Sequence, residues 1–347
     1  MNDRNIYEHR FYTYEELVEK LKAKGLTIID EQNLIFYFKS FNYQKVINEC
    51  NKGFLINRNF KKYLPYANSQ MIIDLFNFNR SLSLIITNDI HSIEMQLSAS
   101  IANELMKRIN FLHDGHTSFG CLSTEEKYSF FRYDNSEKIT QFFSELQDNF
   151  NQLSKTKEYL NRNWKRWEEV PIYLLSLVWT FGTTIDLFCN LNDEVQNEIL
   201  NTYFSSIKGI NIKTFEVLLY YFRDLRNKIS HNEVIYNFQF SLKKLLYKIK
   251  KFNAATRTKL TNKIKNDFPK LFSDYVPATS DFKLISMITI IEKITNNFGL
   301  EKSIFQQIKW LEESINNGCH HDQTQNTIYI PCKKAWKNIC ESLGYKK

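Results

Sequence analysis

The sequence predicts an all-α fold, and three observations carry that expectation. Only nine glycines and five prolines occur in 347 residues, and these are the residues that interrupt helices. The long stretch from Met71 to Met106 contains neither. Apolar residues recur every three or four positions along much of the chain, the period of a helix with one buried face.

The elements follow in order. Thr13-Tyr14-Glu15-Glu16 has the form of a capping box, in which hydroxyl and carboxylate satisfy free helix N–H groups. Tyr14, Leu17, Val18 and Leu21 then share a face, and Gly25 supplies the stop. A second helix is predicted over Glu31 to Ser40, giving a small helical lobe that needs a neighbour to bury it. Within Met71 to Met106, the residues Leu75, Leu82, Ile86, Ile93 and Leu97 form a core stripe. Glu94 lies beside that stripe, and either pairs with an arginine across the core or stays a partly exposed helix charge. Phe111 to Leu122 reads as a loop, and Ser123-Thr124-Glu125-Glu126 opens the next helix. Asn135 to Lys155 continues as a polar helix with Phe142, Phe143, Leu146 and Phe150 on one side. Pro171 suits a helix start, and one helix is predicted from Ile172 to Cys189. Phe215, Leu219, Phe222, Leu225 and Ile229 form the buried stripe of a later helix. Beyond Pro269 and Pro277, helices are predicted over Phe282 to Asn297 and Glu301 to Ile315, and a short strand over Asn326 to Ile330. The expected organisation is an N-terminal lobe over 1–65, a helical core over 66–255 and a mostly helical extension over 256–347.

The most informative window is Asp224-Leu225-Arg226-Asn227-Lys228-Ile229-Ser230-His231-Asn232, near the end of a predicted helix. It combines a permanent guanidinium, an amide and an imidazole. Arginine presents a fixed fork of donors to a phosphate, and histidine exchanges a proton near neutral pH. RNA can be cut without a metal when its 2′-hydroxyl attacks the adjacent phosphorus. That step needs a base for the hydroxyl, an acid for the leaving oxygen and positive charge at the phosphate. His231 supplies acid or base, Arg226 the charge, and Asn227 a hydrogen bond to the turn or the phosphate. One geometric fact stands against a self-contained pair. Five helical positions rotate about 140°, so Arg226 and His231 do not share a face, whereas Asn227 and His231 do. Either the helix ends near Ser230 or a second copy supplies partners.

The window resembles the Arg-x4-6-His signature of the HEPN ribonuclease superfamily, and the chain resembles its Abi-like (AbiD/AbiF-type) abortive-infection branch. Four blocks carry the likeness: Tyr12 to Ile28 with Phe41-Asn42-Tyr43, Phe78 to Glu94, Val170 to Thr183, and Leu225 to Asn237. This sequence has Asn79 where the branch usually has Asp, Ser83 where it has Arg, Tyr173 where it has Trp, and Asn232 where many members have a second His. The resemblance implies a HEPN-type helical bundle and a catalytic role for Arg226, Asn227 and His231. It also implies a homodimer pairing two motifs in one cleft, and a small structured RNA as a restraining partner. The function so implied is a metal-independent endoribonuclease acting in phage defence or as an RNA-restrained toxin. The alternative is a non-catalytic RNA-binding or interaction module of a defence complex.

Composition is compatible with an RNA partner. The net charge is +8, which mildly favours a polyanion. Between Ser241 and Lys265 the chain carries Lys243, Lys244, Lys248, Lys250, Lys251, Arg257, Lys259, Lys263 and Lys265 with no acid. Such a run is either a solvated face or a phosphate-contacting surface. Aromatic residues make up 15% of the chain, most of them for the core, with some available to stack on unpaired bases. Met1 to Arg10 is polar, no apolar run is long enough to span a bilayer, and six cysteines are scattered without a framework spacing. A cytoplasmic protein without membrane association is therefore expected. His113-Asp114-Gly115-His116 and Cys319-His320-His321 with Cys332 hold metal-ligand residue types but none of the repeated zinc spacings, so no metal site is predicted. No Gly-rich phosphate loop, nucleophile elbow or dinucleotide fingerprint occurs, and no cofactor is expected.

Overall fold

A computed structural model describes residues 11–57, 62–132, 166–207, 210–241, 281–295 and 299–318, with short helical stretches at 140–141, 143–148 and 151. Its fold is all-α. Helix α1 (Tyr14–Ala23) starts with the predicted capping box, Glu16 N–H to Thr13 Oγ1 at 3.2 Å and Thr13 N–H to Glu16 Oε2 at 2.9 Å. It closes on Gly25, whose φ of +87° is a left-handed conformation that glycine adopts without strain. Helix α2 (Glu31–Phe41) is capped by Asp30 and buries Leu34 and Phe38. After a π-helical turn over Gln44–Asn48 the lobe adds a feature that its sequence pattern did not announce. This is a two-stranded antiparallel hairpin of β1 (Leu55–Asn57) and β2 (Lys62–Tyr63).

The spine of the molecule is α3 (Ser69–Leu112), 44 residues long and capped by Asn68. It extends past the predicted Met106 into the segment read as loop, ending at Leu112 with His113 as its cap. The lobe is fastened to its start through Thr27, which donates to the Ala67 carbonyl at 3.1 Å and accepts from Ser69 N–H at 2.8 Å. Ring contacts continue the seam: Phe41 lies 5.2 Å from Phe76, and the Arg80 guanidinium lies 4.5 Å over Phe41. The N-terminal third of α3 buries Ile72, Ile73, Leu75, Phe76 and Phe78 on more than one face, because elements pack around it.

Helix α4 (Thr124–Phe130) carries a second capping box, Ser123 with Glu126. Phe143 and Leu146 of the stretch 143–148 are buried, Phe143 lying edge-on to Phe119 and Phe131. Phe142 and Phe150 fall outside the described residues. The single helix predicted over Ile172 to Cys189 is two: α5 (Ile172–Leu175) and α6 (Phe181–Asn190). The break comes from Thr180, whose backbone is extended and whose hydroxyl accepts from Thr183 N–H at 3.2 Å. A side-chain acceptor there starts a new helix instead of continuing the old one. Helix α7 (Asp193–Tyr203) follows from its cap Asn192, and α8 (Ile212–Ser230) from its cap Asn211.

Beyond α8, β3 (Gln239–Ser241) pairs antiparallel with β4 (Asp281–Lys283) in the register Phe240 opposite Phe282. The strand therefore occupies the start of what was predicted as helix, and α9 (Leu284–Thr295) begins after it. Helix α10 (Leu300–Gly318) and α9 both pack on α3, where the Ser314 hydroxyl donates to the Asp74 carboxylate. The helices expected as an extension thus lie directly against the spine. The predicted strand over Asn326 to Ile330 lies outside the described residues. Among the described residues no helix is long and apolar enough to cross a membrane.

Candidate functional site

The candidate site is the C-terminal end of α8. Asn211 Oδ1 accepts from Thr214 N–H at 3.0 Å to start the helix, and Phe215, Leu219, Phe222 and Leu225 are buried along one stripe, with Ile229 partly buried. The stripe fixes the rotation of the helix about its axis. Arg226, Asn227 and Ser230 then face outward, and His231 is exposed as the C-cap.

The helix ends by a defined hydrogen-bond pattern. His231 N–H reaches the Asn227 carbonyl at 3.1 Å, Asn232 N–H the Ile229 carbonyl at 2.9 Å, and Glu233 N–H the Lys228 carbonyl at 2.9 Å. The last two bonds make a Schellman motif, which needs a left-handed residue just past the cap. Asn232 takes that place with φ 52°. Asparagine tolerates the conformation better than other non-glycine residues, because its short polar side chain bonds locally. The Ser230 hydroxyl covers another terminal carbonyl, that of Arg226, at 3.0 Å.

Lys228 Nζ pairs with the Glu233 carboxylate across this turn. That hydrogen bond holds the Glu233 carboxyl below its ordinary range against the opposing effect of burial, with the charges of Lys228, Lys45 and His231 adding to it. Lys45 comes from the π-helical turn of the N-terminal lobe, where it also pairs with Glu49 at 3.0 Å.

The chain leaving the turn is caught by α3. Asn79 Oδ1 accepts from Ile235 N–H at 2.8 Å and from Tyr236 N–H at 3.2 Å, while its Nδ2 donates to the Glu233 carbonyl at 3.5 Å. In the sequence Asn79 was legible only as a departure from the branch pattern. An amide among apolar neighbours on a helix was the available signal.

The carbonyl end of a helix is electronegative, so a phosphate approaching it needs cations. Arg226 is exposed and makes no ion pair within 4.0 Å among the described residues. The helix does end near Ser230, one of the two alternatives the spacing left open. His231 nevertheless follows on the helical path, so the rotation of about 140° from Arg226 persists. Asn227 and His231 share a face.

The other sequence candidates divide. Lys243, Lys244, Lys248, Lys250, Lys251, Arg257 and Lys259 lie outside the described residues, as do Cys319, His320, His321 and Cys332. His113 caps α3 and its Nε2 lies 2.9 Å from Glu126 Oε1. Among the described residues no group of three or more His, Cys, Asp or Glu is placed to hold a metal ion. Glu94 has His91 of its own helix at 3.8 Å, and no arginine pairs with it among the described residues. Two buried carboxylates that do meet arginines are Glu104, bonded to Arg108 at 2.7 Å, and Glu216, bonded to Arg132 at 3.2 Å and to Lys213 at 3.0 Å. Sequence periodicity placed none of these pairs.

A family model described as Abi-like protein matches residues 33–237, from within α2 to just past α8. No curated protein and no solved structure matches the chain.

Proposed function

The chain belongs to the Abi-like family of abortive-infection proteins, and we propose that within that phage-defence role it is an endoribonuclease acting through Arg226, Asn227 and His231. The observation that carries the proposal is the end of α8. There an exposed imidazole is held as the helix cap, with Asn227 one turn before it on the same face.

In the proposed reaction the 2′-hydroxyl of one nucleotide attacks its own 3′-phosphorus as a base takes the hydroxyl proton. The bond to the 5′-oxygen breaks, and an acid delivers a proton to that oxygen. Products are a 2′,3′-cyclic phosphate and a 5′-hydroxyl. Arg226 neutralises the charge that grows on the non-bridging oxygens, worth a hundred-fold or more in comparable sites on the order of the effect of one lost donor. Asn227 donates its amide hydrogens to a phosphate oxygen. One imidazole cannot be base and acid in the same step, so a second copy of the chain supplies the second His231. A small structured RNA is the proposed restraining partner, as it is for the resemblance.

The test is to incubate purified protein with total cellular RNA in excess EDTA and to map the new ends. Cleavage with cyclic-phosphate and 5′-hydroxyl termini supports the proposal. Binding without cleavage would leave the chain an RNA-binding module.

A further inference from the structure

Buried backbone N–H groups must find acceptors, and the chain after the motif shows where they go. Asn232 and Glu233 donate back into α8, and Phe238 donates to the Ile235 carbonyl at 2.8 Å. Ile235 and Tyr236 are buried, and both donate to one oxygen, Asn79 Oδ1, more than 150 positions earlier in the chain. Asn79 is itself 6% exposed on α3, so an unmatched amide there would carry the cost of a desolvated polar group. Its acceptor capacity is spent on the two N–H groups, since a carbonyl oxygen has two lone pairs. Phe78 and Leu82 around it are apolar and buried.

His231 sits between two fixed points. On one side the buried stripe of α8 sets the helix against its neighbours, and on the other Asn79 sets the segment from Glu233 to Tyr236 against α3. We propose that Asn79 is a positioning residue for His231, fixing the imidazole at the cap by anchoring the chain that leaves it. This rests on the reading of His231 as a reacting group. Asn79 touches no substrate; it acts through the backbone. Misplacing a reacting group by about 1 Å is enough to lower turnover on the order of a hundred-fold without weakening substrate binding.

The chemistry predicts which substitutions preserve the clamp. A carboxylate accepts two N–H groups as well as an amide does, though it cannot donate to the Glu233 carbonyl. Leucine, similar in size, accepts none. Asn79→Leu is therefore expected to lower kcat by roughly ten- to a hundred-fold with KM unchanged, and Asn79→Asp to restore most of the loss. The control for a merely structural effect is Ser314→Ala, which removes a bond to Asp74 of the same helix and should leave kcat alone. Equal kcat losses in Asn79→Leu and Ser314→Ala, or no rescue by Asn79→Asp, would overturn the assignment.

Two measurements stand apart from cleavage. In the wild-type protein the Ile235 and Tyr236 amides should exchange with solvent as slowly as the interior of α8, and Asn79→Leu should speed them by about ten-fold or more. The His231 imidazole resonance should shift in Asn79→Leu and return in Asn79→Asp. Wild-type amides exchanging at loop rates would reject the clamp even if Asn79→Leu fails to fold. Wild-type protein that leaves RNA intact would reject the proposed reaction, while exchange and the imidazole signal still decide the positioning.

Discussion

The His231 backbone N–H bonds to the Asn227 carbonyl at 3.1 Å, closing the last turn of α8. That bond places the amide and the imidazole four residues apart on one helical face, while Arg226 points elsewhere on the same helix. On the proposed reading the motif is therefore a half-site in its own chain, with base or acid on one face and the phosphate-neutralising charge on another.

His231→Ala and Arg226→Ala should each abolish RNA cleavage and growth inhibition while leaving the urea unfolding midpoint in place. Both side chains are exposed, so neither substitution opens a cavity or strands a buried group. Full toxicity of either variant at normal expression would remove these residues from the reaction.

Mixed dimers separate a shared cleft from independent protomers. With random pairing of equal amounts of wild type and His231→Ala, a shared cleft leaves about a quarter of the activity and self-sufficient protomers about half. Cleavage measured across mixing ratios at constant total protein should fall with the square of the wild-type fraction. A linear fall would reject the shared cleft.

Replacing Lys248, Lys250 and Lys251 with Gln should weaken RNA binding and flatten its salt dependence, by roughly 0.7 log–log units per lost single-strand phosphate contact. The experiment is a binding titration at several salt concentrations with a His231→Ala background. An unchanged slope would make the run a solvated face and send the RNA path elsewhere.

Arg132→Met should destabilise the fold by about 3 kcal/mol, because it leaves the buried Glu216 carboxylate with Lys213 and the long hydrogen bond from Gln196 in place of its arginine. Arg132 also bonds Gln196 and pairs with Asp193, so it joins the end of α4 to α7 and α8. The double variant Arg132→Met with Glu216→Leu should recover most of the loss, since an apolar pair replaces a buried ionic one at little cost. Urea unfolding of the two variants decides it; a neutral Arg132→Met would show that the network is dispensable.

Much of the fold was legible locally. The Thr13 capping box, the helix start at Ser123, the stripe of α3 and the stripe of α8 all stand where the sequence put them, because each depends on residues three or four apart. Thr180 splits one apolar run into two helices, although the residues on either side keep helical spacing and no Glu follows at the third position to mark a box. Of the two alternatives left open for Glu94, the partly exposed helix charge is the one found among the described residues, whereas Glu104 and Glu216 are buried and meet arginines.

By itself the sequence determined the helical class and the buried stripe of α8, which leaves Arg226, Asn227 and His231 outside it with Arg226 turned about 140° from His231. These follow from the 3.6-residue repeat, a property of neighbours along the chain. Only the tertiary structure decided what holds His231: the left-handed turn at Asn232, the Lys228–Glu233 pair and the grip of Asn79 on Ile235 and Tyr236. It also decided that α9 and α10 close against α3. Periodicity says which face of a helix is buried, but not against what. That choice is made when distant segments meet and their unpaired N–H groups must find the acceptor that lies within reach.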